Sequence, residues 1–411
     1  MSKGWNRMET WLALMVVALG LVPAAILGLF AYMSATATAL HPEPRRVASV
    51  THSVPSPEWA DAVERGREIV RAGLAAQNLP GLSVAVGLDG DIVWAEGFGW
   101  ADLDNRVPVA PETRLRIGTA STALTSAAVG LLLEERRLKL DEVIQTYVPE
   151  FPRKQWPVTL RQLMGHTAGV ANDGGDEGPL FSKSCERPVD ALQFLSGHER
   201  ELMFEPGTQY HYSSYGWIVV SAAVEAAADE PFLAFMRTRV FEPLGMRDTM
   251  ADSATTPIPN RATPYFPRFA ADPRYGLHLT RPLDYSCYAG SSVFLSTASD
   301  LARFGMAINS GKLLQPTTVG LLQASQRLAS GQETEYGLGW DLESVPLAGI
   351  QTRSAGHDGT VLGGTVASLI TFPEHGIVVS VISNISYADT PGLGVKIAQA
   401  FADRERSPAG K

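Results

Sequence analysis

The sequence predicts an α/β fold of the α+β kind: an antiparallel sheet covered by helices from both ends of the chain, with a mostly helical region inserted between its strands. Three observations carry this. In "LSVAVGLDGDIVWAEGFG" two β-rich runs flank Asp89-Gly90, a strong hairpin signal. In "TVASLITFPEHGIVVSVISN" two more flank the turn Pro373-Glu374-His375-Gly376. Between these hairpins, residues 116–285 read as helix and loop.

The elements follow in order. Residues 1–8 form a short N-terminus, expected to be cytoplasmic. From Trp11 to Met33 no residue is charged; as a helix these 23 residues would span roughly 34 Å, enough for a hydrocarbon core of about 30 Å. A transmembrane signal-anchor is expected at 9–33, with Pro23 tolerated inside it. Small-residue sites at Ala35-Thr36-Ala37 and Ala37-Thr38-Ala39 leave a cleaved signal peptide as the rival reading. Four prolines between Leu40 and Pro57 suggest an extended linker over 34–57. Ser56-Pro57-Glu58 marks a helix start, with Trp59, Val63, Val70 and Leu74 at helical spacing and Pro80-Gly81 ending the segment. The globular domain is expected over 58–403, its sheet part from 58–115 and 286–403. Leu393 to Phe401 reads as a final helix, and 404–411 as a tail.

Composition excludes several function classes. With 411 residues, 45% of them hydrophobic, the chain can bury a substantial core. A formal net charge of −9 and no basic run argue against a nucleic-acid partner. The two cysteines, Cys185 and Cys287, form either one bridge or two buried thiols. The eight histidines show no metal-ligand spacing, so no metal is expected. Gly305 to Lys312 is one residue too long for a phosphate loop, and no G-x-S-x-G elbow occurs. No cofactor is expected. None of the seven lysines has a serine three residues earlier, so S-x-x-K is absent.

That absence matters because of a series of ordered matches. "LMGHTAGV" (Leu163 to Val170), "FEPGTQYHYSSYGWIVV", "FEPLGMRDT" from Phe241, "AGSSVFLSTASDLARF", "YGLGW" and "GHDGTVLGG" follow one another along the chain. In this order they resemble the serine β-lactamase and penicillin-binding-protein-like family, especially its class C and esterase-like branch. The resemblance covers about Trp59 to Phe401. It implies a five-stranded antiparallel sheet, a helical domain and an active site between them. The family attacks acyl carbonyls with a serine at a helix start, deprotonated by a lysine one turn later. A Tyr-x-Asn loop and a Lys/His-x-Gly strand complete the pocket. Residues three apart share a helix face, so the amine reaches the hydroxyl.

By that resemblance Thr119 stands at the serine position and Thr122 at the lysine position. Tyr212 keeps the tyrosine, Ser214 replaces the asparagine, and His357-Asp358-Gly359 supplies the third element. A threonine hydroxyl is no base near neutral pH, and losing a positioned base costs on the order of 10²–10⁴ in rate. Thr119 also carries a methyl that stiffens its rotamers, and Ser214 is too short to replace an amide. Thr119 is therefore read first as a helix cap and second as a nucleophile. Tyr212 is either a base or a structural tyrosine. His357 is either a donor to a bound acyl group or a satisfied strand histidine. Asp358 would bring negative charge to a substrate carboxylate, and Gly359 close backbone approach. His166 is expected to order the turn after its helix, and Tyr336, Trp340 and Tyr288 to be core aromatics.

The expected protein is single-pass, its domain facing the periplasm or another extracytoplasmic space. It is expected to be inactive or very weak as a hydrolase, and to bind a cell-wall or envelope ligand or a membrane-protein partner. Two alternatives stand beside it: an active acyl hydrolase using Thr119 and Tyr212, and a structural subunit of a membrane complex.

Overall fold

The structure, a computed structural model, describes residues 3–172, 179–195, 201–361 and 363–405. Its main sheet is antiparallel throughout. The strands are β1 (Ser49–Val50), β2 (Gly81–Leu88), β3 (Asp91–Asp102) and β4 (Val107–Pro108) from the N-terminal half. Two small sheets follow, one of three strands in the order β5-β9-β6 and one of two, β7-β8, from β5 (Leu115–Arg116), β6 (Met250–Ala251), β7 (Tyr265–Pro267), β8 (Leu277–Leu279) and β9 (Phe294–Ser296). The C-terminal half adds β10 (Asp341–Leu347), β11 (Ile350–Val361), β12 (Thr365–Phe372) and β13 (Ile377–Ser383). The spatial order is β1-β3-β2-β13-β12-β11-β10, with β4 off the end of β3. The sheet thus has eight strands where the resemblance implied five. The extra ones are the short pieces β1 and β4 and the edge strand β10, whose mostly exposed or half-exposed residues give no clean alternation to read.

Both expected hairpins are present. Asp89 and Gly90 take φ of 51° and 96°, the left-handed pair a two-residue turn needs. The strands β2 and β13 pair at the sheet centre and are buried along their whole length. Their side chains alternate between two cores. Leu82, Val84, Val86, Val379 and Val381 face one core, shared with the helices Ala60–Gln77 and Thr390–Glu405. Ala85, Val378 and Ile382 face the other, shared with the Ala298–Asn309 helix and the helical region. The first of these helices ends at Asn78 in left-handed conformation, before the Pro80-Gly81 stop. The last is longer than Leu393 to Phe401.

The N-terminal helix α1 runs from Lys3–Ala35. Among the described residues no helix is long and apolar enough to cross a membrane. The side chains of residues 3–10, 12–14 and 16–20, much of the expected 9–33 span, lie outside the described set, as do residues 406–411 of the expected tail. Residues 34–57 are not a free tether. Asn78 accepts the Leu40 N–H at 2.8 Å and donates to the Thr38 carbonyl at 3.1 Å. His41 bonds the Leu79 carbonyl, Val47 is buried, and β1 pairs with β3. The proline-rich segment is strapped to the domain because the Asn78 side chain and the Leu79 carbonyl, at the end of a helix, offer it partners. Cys185 and Cys287 are bridged.

Candidate active site

The turn carrying Thr119 follows β5, which pairs with β9 through Leu115 and Ser296. Gly118, at φ 51°, bends the chain into a 3-10 turn, Gly118–Ala120, that leads into the helix Ser121–Glu134. This arrangement overturns the capping expectation. Ala120 sits at the N-cap without a side-chain bond, and the Thr119 hydroxyl instead donates to the Asp358 carbonyl at 3.0 Å. Thr122 is fully buried one turn on, and its hydroxyl has no partner among the described residues.

Strand β11 approaches this turn closely. A Cβ at Gly359 would stand 1.8 Å from the Ile117 carbonyl oxygen and 2.8 Å from the Ala120 nitrogen, so only glycine fits. The alternation of the strand sends His357 and Gly359 toward the turn and Asp358 away from it. The Asp358 side chain lies beside Ser368, its cross-strand partner, whose hydroxyl meets Thr390 at the start of the last helix. Burial, with Asp341 and Glu343 adding to it, raises the Asp358 carboxyl to about 6 against the opposing effects of Ser368 and His357. The backbone of Asp358 thus reaches Thr119, while its carboxyl serves the opposite face of the sheet.

Tyr212 enters from the helical region. Ser213 caps the Ser214–Ala228 helix by accepting the Gly216 N–H, which fixes Tyr212 just before the helix and Ser214 in its first turn. The Ser213 N–H donates to His166 Nδ1 at 3.1 Å, and the His211 N–H to the His166 carbonyl. His166 thereby ties its turn to this loop, as expected. Its ring lies 4.2 Å from Tyr212 and 4.7 Å from Tyr336. Burial lowers the His166 pKa well below the usual imidazole range, and His357 and His211 add to this, so it stays neutral.

The electrostatics of Tyr212 decide what the site can do. Burial, first, pushes its phenol well up. The nearby hydroxyls of Thr119 and Ser214 oppose this, while the charge of Asp341 adds to it. No well-formed hydrogen bond reaches the Tyr212 oxygen among the described residues, and no lysine or arginine is among the groups that act on it. A tyrosine base needs the opposite environment, because its active form is the anion. Tyr336 and Tyr210 are raised in the same way, by burial and then by neighbouring negative or phenolic groups, Tyr210 to about 12.

His357 donates through Nδ1 to the Asp358 carbonyl at 2.7 Å, and Nε2 shares a hydrogen bond of 2.9 Å with the Tyr336 hydroxyl. Neither nitrogen is left to donate to a ligand. Tyr336, Trp340 and Tyr288 are buried, as expected of core aromatics, although the Tyr336 hydroxyl also holds His357. Asp341 is the residue that sequence reasoning missed. It opens β10, accepts the Asp358 N–H at 3.3 Å and lies 3.9 Å from His357 Nδ1. Its only sequence signal is its place directly after "YGLGW". Among the described residues no group of His, Cys, Asp and Glu could hold a metal ion.

A sheet strand pressed against a hydroxyl-bearing helix start, with a tyrosine loop from a helical region beside it, defines the β-lactamase/transpeptidase-like class. The chain belongs to the Beta-lactamase family, whose model matches residues 67–403. It is 26% identical over 472 aligned residues to the human "Serine beta-lactamase-like protein LACTB, mitochondrial", covering 89% of this chain and 85% of that protein. It is 25% identical over 283 residues to Penicillin-binding protein 4* of Bacillus subtilis, covering 66% of this chain and 61% of the relative. The crystal structure of D-amino acid amidase from Ochrobactrum anthropi shares the fold, with a TM-score of 0.70 at 23% identity, over 84% of this chain and 99% of that one.

Proposed function

We propose that this protein is a membrane-anchored, extracytoplasmic member of the family whose acyl-transfer chemistry is absent or very weak. It uses the inherited cleft to bind a cell-envelope ligand or a protein partner. One observation carries this reading: among the described residues the hydroxyl at the nucleophile position has no amine beside it. Thr122 replaces an amine with a buried hydroxyl, and the Tyr212 phenol is held protonated by burial and by Asp341. The Thr119 proton points at a backbone carbonyl, not at a base.

The placement outside the cytoplasm is supported by the Cys185–Cys287 bridge, which persists in oxidising compartments. Anchoring is supported by the uncharged run Trp11–Met33 and by Trp11, Met15, Leu21 and Leu27 of α1, all exposed. Contiguous apolar surface of that kind is rare on a protein surrounded by water.

A fluorescent penicillin and a fluorophosphonate probe test the reading. The purified full chain is expected to remain unlabelled by either. Labelling that disappears in Thr119→Ala would establish the second reading, an active hydrolase with Thr119 as nucleophile and Tyr212 as base. That alternative draws on the closeness of the two hydroxyls.

A further inference from the structure

The end of α1 packs against the β7–β8 hairpin. The rings of Phe269 and Tyr275 clasp Phe30 at 4.9 and 5.8 Å and meet each other at 5.6 Å. The Arg268 guanidinium donates to the Met33 carbonyl at 3.1 Å and to the Thr36 hydroxyl at 2.9 Å, at the partly negative end of the helix. Asn78 donates to the Thr38 carbonyl and to the Pro273 carbonyl, joining strap and hairpin. Ala270 and Ala271 both hold left-handed φ, 54° and 53°. That conformation costs an L-residue about 1–2 kcal/mol, so the contacts around the loop hold it in a strained shape.

Position gives this clasp its meaning. Phe30 lies three residues inside the end of the uncharged run, about 4.5 Å along a helix axis. With α1 in a bilayer, Phe269 and Tyr275 fall at headgroup depth, where aromatic rings are favoured. The outer surface of the hairpin suits the same layer. Leu279 is 54% exposed, and Tyr387, packed on Phe266, is 41% exposed. Arg268 and Arg281 are exposed and have no carboxylate in ion-pair distance among the described residues, whereas Arg274 is neutralised by Asp272.

We propose that the β7–β8 hairpin is a foot that rests on the phospholipid headgroup layer beside α1, with its aromatic rings at the interface and Arg268 and Arg281 on lipid phosphates. This rests on the anchoring reading above. The foot abuts the turn after β11, since a Cβ at Gly364 would meet Pro264 at 2.6 Å and Thr280 at 2.7 Å. The strand that carries His357 and Gly359 is thereby held at a constant height above the membrane, and a ligand of the cleft is met at the bilayer surface.

The test uses the full chain in nanodiscs of phosphatidylcholine and phosphatidylglycerol. Because the native cysteines are bridged, single cysteines at Leu21→Cys, Leu279→Cys and Ile350→Cys accept an environment-sensitive fluorophore. Lipids spin-labelled near the headgroup are expected to quench the Leu279 label several-fold more than the Ile350 control at the opposite end of β11 from the foot. Arg268→Glu with Arg281→Glu, or high salt on the unmodified foot, is expected to weaken that quenching. A Leu279 label at control level, in discs where lipids spin-labelled deep in the acyl chain quench Leu21, would overturn the foot while leaving the anchor standing. A Leu21 label that those acyl-chain labels do not quench would overturn the anchor, and the foot with it.

Discussion

Only two residues lie between Arg116 and Thr119, yet their surroundings differ in kind. Arg116 is buried and paired with Asp252 at 2.7 Å, and Asp252 also takes Arg261 at 3.0 Å. The Arg116 guanidinium lies 4.5 Å from the centre of the Tyr285 ring and donates to the Gly363 carbonyl. Around Thr119 there are hydroxyls, phenols, the neutral His166 and the charge of Asp341. The first cluster keeps its buried charges matched because a lone buried ion destabilises a fold severely. The second has a hydroxyl where the family carries an amine. On the reading proposed above, fold and reactivity are separable within one short stretch of chain.

Restoring the missing groups is the strongest way to sharpen that contrast. Thr119→Ser with Thr122→Lys and Ser214→Asn is expected to raise hydrolysis of a p-nitrophenyl ester by about 10²–10⁴. A triple variant that folds and stays silent would show that the scaffold, and not only the base, has been lost. Next in size is the structural cluster. Asp252→Asn leaves Arg116 buried and uncompensated and is expected to cost about 3–5 kcal/mol in urea unfolding. If Asp252→Asn unfolded no more readily than the parent chain, the two clusters would not differ in the way described.

The smallest effect concerns Asp358. Its carboxyl, raised by burial to about 6 from the ordinary 3.8, binds its proton more tightly in the folded chain than in the unfolded one. Its contribution is therefore fully present below about pH 4 and is lost as pH rises through about 6. Asp358→Asn is expected to raise the Tm by about 2 °C at pH 8 and to leave it unchanged at pH 4. An equal shift at both values would place the effect outside this titration.

The two hairpins were legible because their turn chemistry is local: Asp89-Gly90 and Gly376 adopt the left-handed φ that those residues favour. The positions of Thr119, Tyr212 and His357 were legible through ordered motifs, and the structure brings all three around one turn. The short strands β1 and β4 and the edge strand β10 were not, since two-residue pairs and exposed edges leave no periodic signal. The strap over 34–57 depended on Asn78, a partner far along the chain. Thr119 failed as a cap because Gly118 turns it into a 3-10 segment, where the facing carbonyl of β11 is the nearer acceptor. The outward turn of Asp358 follows from strand alternation, but only once register is known. Asp341 entered the site through its cross-strand position, which no motif encodes.

The most direct test of the central claim is intact-protein mass spectrometry of the full chain after long incubation with a penicillin and with a fluorophosphonate. The account predicts the unmodified mass in both cases. A stable adduct mapped by peptide digestion to Thr119 would contradict it.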